Sequence, residues 1–348
     1  MSDFAQTGLI CTLQRLNDAH LPRIEGELVE LAQDRPIALV LPCHGADLEK
    51  PALAGIVAEL QDAAFLREIV ITLNGVDEFA FALAQERFIR MPQKVTLLWN
   101  DRPGAPASAL GGKGGNVAAA LAHLAAEATC EIIATQDCDV ASFRRVDLAR
   151  LCYAVAHPQL GYRFAKMYYS RVTDRLYGRV SRLFLAPLLH AVVRVAGHLP
   201  LVDFLLSFRY PLAGEVAMTR ELATSLRPSA GWAWEIGQLC EVFRQVDPRE
   251  VCQVDGGSGY DHKHQPAATA LAGMAEEIAR ELFAQLAAEG LANDTAFRAA
   301  VARGYRSEAA LSLRRSASLA MINGLPFDSA AETAIVEAFA ARLEAAPR

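Results

Sequence analysis

The segment Cys130-Glu-Ile-Ile-Ala-Thr-Gln-Asp-Cys-Asp-Val140 decides the fold prediction. Residues 131–135 are typical of a short buried strand, and Asp137 and Asp139 follow where that strand ends. Ligands of open α/β sheets bind at the carboxyl ends of strands, so the two carboxylates predict a hard divalent cation shared with substrate phosphates. Because Asp also favours turns and helix caps, the Asp-x-Asp pattern alone leaves that structural explanation open.

Strands and helices alternate through the first part of the chain, up to this segment. Apolar runs predict strands at 37–41, 68–73 and 94–99. The predicted helices are one that Pro51 opens, one at 77–88 and one at 116–128. This alternation is typical of βαβ crossovers on a parallel sheet, and Pro42 is expected to break the first strand. We therefore expect an α/β fold whose residues 36–140 form a Rossmann-like, nucleotide-binding half.

The remaining chain divides into three further parts. Residues 1–35 are expected to be a helical lead-in, and 141–266 to complete a mixed sheet. Strand-like segments in that second half lie at 161–169, 210–218 and 251–254. Residues 267–348 are expected to form a helical extension, with periodic stretches at 268–290, 294–303, 307–322 and 329–345. Such an extension predicts a packing role or a homodimer contact.

Composition and charge limit the class of partner. The chain has 348 residues, 52% apolar and 21% charged, which is ordinary for a globular enzyme. Its formal charge of −6 argues against a general nucleic-acid binder. Residues 141–220 nevertheless contain twelve Arg or Lys against four acids. A basic middle in an acidic chain fits a cleft for small anions, and it also fits a solvated helix face.

Cysteine usage and hydropathy predict a cytoplasmic protein. The seven cysteines include no Cys-x-x-Cys pair, so neither a disulfide framework nor a zinc knuckle is indicated. The amino terminus has no basic segment followed by an apolar one. The most apolar run, 183–208, contains two histidines, an arginine and an aspartate. We therefore expect amphipathic helices that pack on the body or a partner, with no integral membrane segment.

The second motif is Gly111-Gly-Lys-Gly-Gly-Asn116, at the start of a predicted helix. A dinucleotide fingerprint or a P-loop would need these glycines directly after a strand. Here a long loop separates them from Trp99, and no Ser or Thr follows Lys113. What remains is a glycine-rich helix start with one lysine, suited to a phosphate or a sugar hydroxyl. A flexible loop with an incidental lysine explains the motif equally well when it is taken alone.

Two later motifs have both functional and structural explanations. His262 and His264 lie on a segment after a predicted strand, and on extended backbone both imidazoles would share one face. One of them could complete a metal site begun by Asp139, and two surface histidines are the simpler alternative. Glu235 begins a helix, where it is either a partner of the helix dipole or an acid held in a pocket.

Six motifs together resemble one family across residues 36–270. The sequence resembles the retaining GT-A glycosyltransferases that make glucosyl-3-phosphoglycerate. It also resembles, somewhat less, the related mannosylglycerate-type synthases. The motifs are Gly-Lys-Gly (112–114), Asp-x-Asp (137–139), Pro-Leu-Ala-Gly-Glu (211–215), Thr-Arg-Glu-Leu (219–222), Glu-Ile-Gly (235–237) and the late His-x-His. The resemblance implies a GT-A fold with a mixed sheet and a metal-dependent transfer of hexose.

The resemblance also assigns roles to residues. It implies that Mg²⁺ or Mn²⁺ is held by Asp137, Asp139 and His262, and that Glu235 and Asp139 serve catalysis, Glu235 by positioning the sugar. The implied donor-binding residues are Pro42, Cys43, His44, Asn74, Lys113, Asp137 and Cys138. The implied acceptor-binding residues are Gly214, Met218, Thr219, Arg220 and His264.

These assignments imply a reaction and leave its partners partly open. The donor is a nucleotide sugar, UDP-glucose by preference, and the acceptor is 3-phosphoglycerate or glycerate. Retention requires either a double displacement through a carboxylate or a front-face attack without a covalent intermediate. The rival functions are a sugar nucleotidyltransferase, whose glycine-rich loop should follow the first strand, and a non-catalytic nucleotide-binding or assembly protein.

Overall fold

The computed structural model describes residues 8–102, 110–259, 268–291 and 294–345. Eight strands in this part of the chain form one sheet. They are β1 (Cys11–Leu13), β2 (Ile37–His44), β3 (Leu66–Asn74), β4 (Lys94–Trp99), β5 (Ile132–Thr135), β6 (Phe164–Ser170), β7 (Val216–Thr219) and β8 (Val251–Ser258). Their order across the sheet is β1-β8-β6-β7-β5-β2-β3-β4.

Twelve α-helices in the described residues surround the sheet. They are α1 (Leu21–Asp34), α2 (Pro51–Gln61), α3 (Glu78–Phe88), α4 (Gly112–Glu127), α5 (Arg145–Ala156), α6 (Ala186–Ala196), α7 (Pro200–Ser207), α8 (Arg220–Ser225), α9 (Trp234–Gln245), α10 (Ala268–Ala288), α11 (Thr295–Ile322) and α12 (Ser329–Ala345). A π-helical turn, Val180–Leu185, leads directly into α6. The last three helices form the C-terminal extension.

Strand direction determines where a ligand would bind. All described strand pairs are parallel except those of β7, which runs antiparallel to both β5 and β6. Strands β2, β3, β5, β6 and β8 therefore end on one side of the sheet, which we call the carboxyl edge. The predicted α/β fold, with a mixed sheet and a helical C-terminal extension, is confirmed.

Two apolar cores lie on the two faces of the sheet. Side chains of β2 alternate between them, because successive side chains of a strand point to opposite faces. Ile37, Leu39 and Leu41 face the core that includes residues of α1, α2, α3 and α5. Ala38 and Val40 face the core formed with α4, α6, α9 and the C-terminal extension. Burial on both faces explains why these strands are continuous apolar runs.

Pro42 does not break the first long strand, as we had expected from the sequence. β2 continues to His44 and pairs with β3 through residue 74. Its pairing with β5 ends at Val40. At Pro42 the strand is therefore paired on one side only, where a proline without an N–H group is tolerated. The longer strand carries Cys43 and His44 to the carboxyl edge.

Two predictions at the chain's ends are corrected by the structure. The lead-in is not entirely helical, since β1 pairs in parallel with β8 at the sheet's edge. β1 has only three residues, which are too few to produce a periodic signal in the sequence. The stretches 294–303 and 307–322 form the single helix α11, which continues through Gly304. At Gly304, α11 packs on α6, and an added methyl group would lie 3.4 Å from the Ala191 side chain, an ordinary contact distance.

The most apolar run of the sequence is divided among short elements. It forms the π-helical turn, α6 and α7, which pack against α11 and α9. Among the helices of the described residues, none combines the length and the apolar character that crossing a membrane requires.

The Tyr305→Phe substitution should destabilise the protein through one buried hydrogen bond. The Tyr305 hydroxyl donates to the Leu183 carbonyl at 2.7 Å, and the side chain is fully buried. Removing the hydroxyl deletes this bond, and we expect the free energy of unfolding to fall by about 0.5–1.5 kcal/mol. Urea denaturation measures the change.

Tyr177→Phe is the matched control, because its hydroxyl bonds the exposed Asp174. It should change the free energy of unfolding by less than about 0.5 kcal/mol. Equal stability of the two variants would show that the Tyr305 bond does not fasten α11 to the turn.

Candidate active site

Two adjoining cavities open at the carboxyl edge. The larger, of about 440 Å³, is called the first lobe, and the smaller, of about 330 Å³, the second lobe. Both volumes lie in the range of small-molecule sites. The residues that line both lobes are His44, Asp47, Lys113, Asp137, Asp139, Trp232. The lobes are thus two parts of one cleft, and the paired carboxylates lie where they meet.

Lys113 joins three segments at the junction of the lobes. Its ammonium nitrogen lies 2.5 Å from Asp137 Oδ1 and 2.7 Å from Glu235 Oε1. Burial alone would lower the pKa of Lys113, but the charges of Asp137 and Glu235 raise it well above its ordinary value. The lysine therefore stays protonated. It holds the first turn of α4, the segment after β5 and the first turn of α9 together.

Glycines at the start of α4 permit a close approach of two backbones. The Gly231 N–H donates to the Gly111 carbonyl at 3.0 Å. A methyl group on Gly114 would collide with the Ser229 carbonyl. The glycine-rich motif is therefore explained by this approach, which also brings Trp232 to the cleft. Its lysine is part of the site and not an incidental residue of a flexible loop.

The Asp-x-Asp segment directs both of its carboxylates to the junction of the lobes. Asp137 and Asp139 line both lobes, while Cys138 belongs to the core shared with β2 and borders the second lobe alone. Carboxylate oxygens are the ligands that Mg²⁺ and Mn²⁺ prefer, and Mg²⁺ is commonly bound by one or two carboxylates plus substrate phosphates. The two residues therefore fit such a cation. Within the described ranges, no three His, Cys, Asp or Glu side chains form a ligand set by themselves.

The second lobe gathers the predicted donor-binding residues from three strand ends. Its lining includes Pro42, Cys43, His44, Asn74, Lys113, Asp137 and Cys138. Asn116, which ends the glycine-rich motif and to which the sequence assigned no role, also lines this lobe. Its side-chain amide donates to Asn74 Oδ1 at 3.1 Å and accepts from Asn100 at 2.6 Å. Asn116 lies three residues after Lys113, a spacing that places both on one helix face and could have revealed it.

The first lobe is lined by cationic and hydroxyl side chains that the sequence analysis did not single out. Arg171, Tyr177, Arg179 and Ser181 follow β6, which ends at the carboxyl edge. Arg171 Nε and Ser181 Oγ are buried and have no hydrogen-bond partner among the described residues. The two guanidinium charges and the hydroxyl groups of this lining suit an anionic ligand. The basic middle of the sequence was the available signal.

A buried polar layer supports the turn beside Asp137. Lys166 is fully buried and donates to the Ala213 carbonyl at 2.6 Å. Burial lowers the pKa of Lys166 to about 8, against the opposing influence of Glu235 and Glu215. Glu215 is fully buried and accepts from the Tyr169 hydroxyl at 2.8 Å. These bonds fix the start of β7 against the floor of the cleft.

Three predicted acceptor residues lie away from the cleft, which corrects their assignment. Because β7 is antiparallel to β5, Thr219 pairs with Ile132, at the opposite end from Asp137. Met218 is fully buried in the core. Thr219 caps α8, and the Arg220 guanidinium lies 3.7 Å from Glu131. The sequence pattern did not show which way β7 runs. Of the acceptor residues predicted on segment 214–220, Gly214, at the end nearer the cleft, is the one that reaches Asp137.

The two histidines predicted to bind the metal and the acceptor, His262 and His264, lie outside the described residues. β8, the strand that precedes them in sequence, ends at the carboxyl edge. Their roles stay predictions.

The fold and the site define a GT-A glycosyltransferase. No family model matches the chain. The chain is 35% identical to the glucosyl-3-phosphoglycerate synthase of Persephonella marina, over 100% of this chain and 90% of that protein. It therefore belongs to the glucosyl-3-phosphoglycerate synthase family, as the six sequence motifs predicted.

Solved structures have the same fold at lower identity. The glucosyl-3-phosphoglycerate synthase of Mycobacterium tuberculosis in complex with Mg²⁺ and uridine diphosphate matches with a TM-score of 0.60 at 23% identity, over 80% of this chain and 86% of that chain. The same enzyme in complex with Mn²⁺, UDP-glucose and phosphoglyceric acid matches with a TM-score of 0.61 at 22% identity, over 80% and 88%.

The Gly214→Ala substitution should disturb the Lys113–Asp137 pair. An added methyl group would lie 2.5 Å from both Asp137 Oδ1 and Lys113 Nζ, closer than side-chain carbons approach such atoms. The pair must shift, and displacements of this size in an active site cost about 100-fold in rate. We expect kcat/KM for glycosyl transfer to fall by about that factor.

Gly55→Ala is the matched control, because nothing lies within 4 Å of the added methyl group in the middle of α2. It should keep full activity and gain about 0.5–1 kcal/mol of stability. A fully active Gly214→Ala enzyme would contradict the close contact at this glycine.

Proposed function

We propose that the protein transfers glucose from UDP-glucose to 3-phosphoglycerate, with retention of configuration at the anomeric carbon. The observation that carries the proposal is the single cleft in which the carboxylates of Asp137 and Asp139 face an arginine-lined lobe. Such a cleft suits a cation-bound diphosphate on one side and a small anion on the other. Support comes also from the related enzyme whose structure contains Mn²⁺, UDP-glucose and phosphoglyceric acid.

The donor would occupy the second lobe. Asp137 and Asp139 would hold Mg²⁺ or Mn²⁺, with His262 as the proposed third ligand. A bound cation would neutralise the charge that grows on the diphosphate as the glycosidic bond breaks. The ammonium of Lys113, beside Asp137, would add to that stabilisation, because it is already positioned and charged. The linked amides of Asn74 and Asn116 would supply hydrogen bonds to the nucleotide.

Glu235 would position the transferred sugar. Its Oε1 atom lies 2.7 Å from the Lys113 ammonium, so its charge is already partly satisfied. A carboxylate paired in this way is a weaker nucleophile and remains a good hydrogen-bond acceptor for a sugar hydroxyl. This pairing favours the front-face attack, in which the acceptor hydroxyl approaches from the side that the diphosphate leaves.

The acceptor would occupy the first lobe. Arg171 and Arg179 would bind the phosphate and the carboxylate of 3-phosphoglycerate, and Ser181 would donate a further hydrogen bond. Gly214 would contribute because it has no side chain, which leaves room for the Asp137–Lys113 pair. His264 is the remaining proposed contact to the acceptor. A sugar nucleotidyltransferase has less support, since the glycine-rich segment begins α4 and does not follow β2.

We propose further that the enzyme is a cytoplasmic homodimer. The cysteines of the described residues are all free, as expected in a reducing compartment. The end of α11 exposes Leu319, Met321 and Ile322, with 53%, 82% and 84% of their surface accessible. Exposed apolar side chains grouped in this way support an association surface.

The Asp139→Asn substitution should abolish metal-dependent transfer and leave the fold intact. The amide keeps the size of the side chain and removes its charge, so the cation is held less tightly and we expect kcat/KM to fall by about 100-fold or more. The measurement is UDP release from UDP-glucose with 3-phosphoglycerate and Mn²⁺, with the product identified by mass.

Asp62→Asn is the matched control, since Asp62 is exposed and lies 3.8 Å from Arg145. It should keep full activity. Pyrophosphate release, or no turnover by the wild-type enzyme, would contradict the proposed function. An Asp139→Asn enzyme that is active and insensitive to chelators would show that these carboxylates do not bind the metal.

A further inference from the structure

The wall of the first lobe is fastened to the C-terminal extension. Segment 176–183 forms this wall, and α11 makes three hydrogen bonds to it. Tyr305 donates to the Leu183 carbonyl at 2.7 Å, and Ser312 donates to the Arg182 carbonyl at 2.6 Å. The Arg182 guanidinium donates to Ser316 Oγ at 3.2 Å. The extension thus supports the lobe as well as the fold.

One carboxylate of α12 joins the two arginines of this wall. Glu332 is 4% exposed. Its Oε1 atom accepts from Arg179 Nε at 2.8 Å, and its Oε2 atom accepts from Arg182 Nη2. Without this carboxylate, two partly buried guanidinium groups would face each other without a shared counter-charge. Glu332 also lies in the first turn of α12, where a negative charge is favourable.

The two arginines use their remaining donors differently. Arg182 donates to the backbone carbonyls of Tyr177 and Leu176, so it secures the wall. Arg179 lines the first lobe, and its Nε donates a hydrogen bond to the Glu332 carboxylate. The guanidinium is planar, so fixing Nε also fixes the directions of the two Nη groups. Those groups are the donors that a ligand oxyanion in the lobe would use.

We propose that Glu332 is a positioning residue, which orients the Arg179 guanidinium for the anionic group of the acceptor. Acceptor binding then depends on the C-terminal extension as well as on the α/β body. This inference rests on the proposed function, because the acceptor anion is the group that Arg179 would bind. Glu332 does not line the cleft and acts through Arg179.

Electrostatics and positioning predict opposite effects for the loss of this carboxylate. Glu332→Gln removes a negative charge near the first lobe, so charge alone would strengthen the binding of an anion. If the carboxylate instead orients Arg179, the glutamine amide holds it less firmly and anion binding weakens. Hydrogen bonds to charged groups change affinity by about tenfold or more. We therefore expect the KM for 3-phosphoglycerate to rise about tenfold in Glu332→Gln.

The experiment compares Glu332→Gln with Glu337→Gln, a matched change on the same helix. Glu337 is exposed and its carboxylate lies 3.6 Å from Arg306, away from the cleft. Steady-state kinetics with UDP-glucose, 3-phosphoglycerate and Mn²⁺ provide both KM values and kcat. Glu332→Gln should change the acceptor KM alone, with kcat and the donor KM within about twofold of wild type. Glu337→Gln should match wild type in all three.

The outcomes separate this inference from the function on which it rests. No transfer by the wild-type enzyme overturns both. Normal wild-type transfer with an unchanged or lower acceptor KM in Glu332→Gln overturns the positioning role alone. If Glu332→Gln does not fold, Glu332→Asp serves instead, since it keeps the charge and withdraws the carboxylate by one methylene. An intermediate acceptor KM in Glu332→Asp supports the inference, and a wild-type value overturns it.

Discussion

The ammonium of Lys113, held between the carboxylates of Asp137 and Glu235, is the interaction on which the cleft depends. It joins the starts of α4 and α9 to the end of β5, segments from separate parts of the chain. Two carboxylates near each other in a partly buried site repel, and a shared cation converts that repulsion into attraction. The same ammonium would face the diphosphate of a donor. The group that holds the site together thus also contributes to its chemistry.

Close packing around this lysine limits which residues the neighbouring segments can have. Gly214 lies against both the ammonium and Asp137, and Gly114 lies against the backbone at Ser229. Beneath them, the buried Lys166 and Glu215 fix the turn that carries Gly214. The polar groups on the cleft floor are therefore supported by a second polar layer, as buried polar groups require partners. Outside this layer, α11 and α12 support the wall that carries Arg179.

The sequence predicted most of the fold and much of the second lobe, because the signals there are local. Strand-helix alternation located β2 to β5, and parallel strands necessarily bring Asn74 and Asp137 to one edge. Residues whose placement depends on tertiary structure were missed. Met218 was misplaced because no local signal shows that β7 reverses direction. The Arg179–Glu332 pair joins residues 153 positions apart on different elements, and no periodicity connects them. The extension was expected only to pack or dimerise for the same reason.

A double-mutant cycle between Lys113 and Glu235 tests the central claim most directly. The free energy of unfolding is measured for wild type, Lys113→Met, Glu235→Gln and the double variant. If the ammonium bridges the carboxylates, Glu235→Gln lowers the free energy of unfolding by less in the Lys113→Met background than in wild type, because the partner of Glu235 is already absent. The account predicts a coupling of about 1–3 kcal/mol. Additive effects, within about 0.5 kcal/mol, would contradict the bridge and the organisation of the cleft around it.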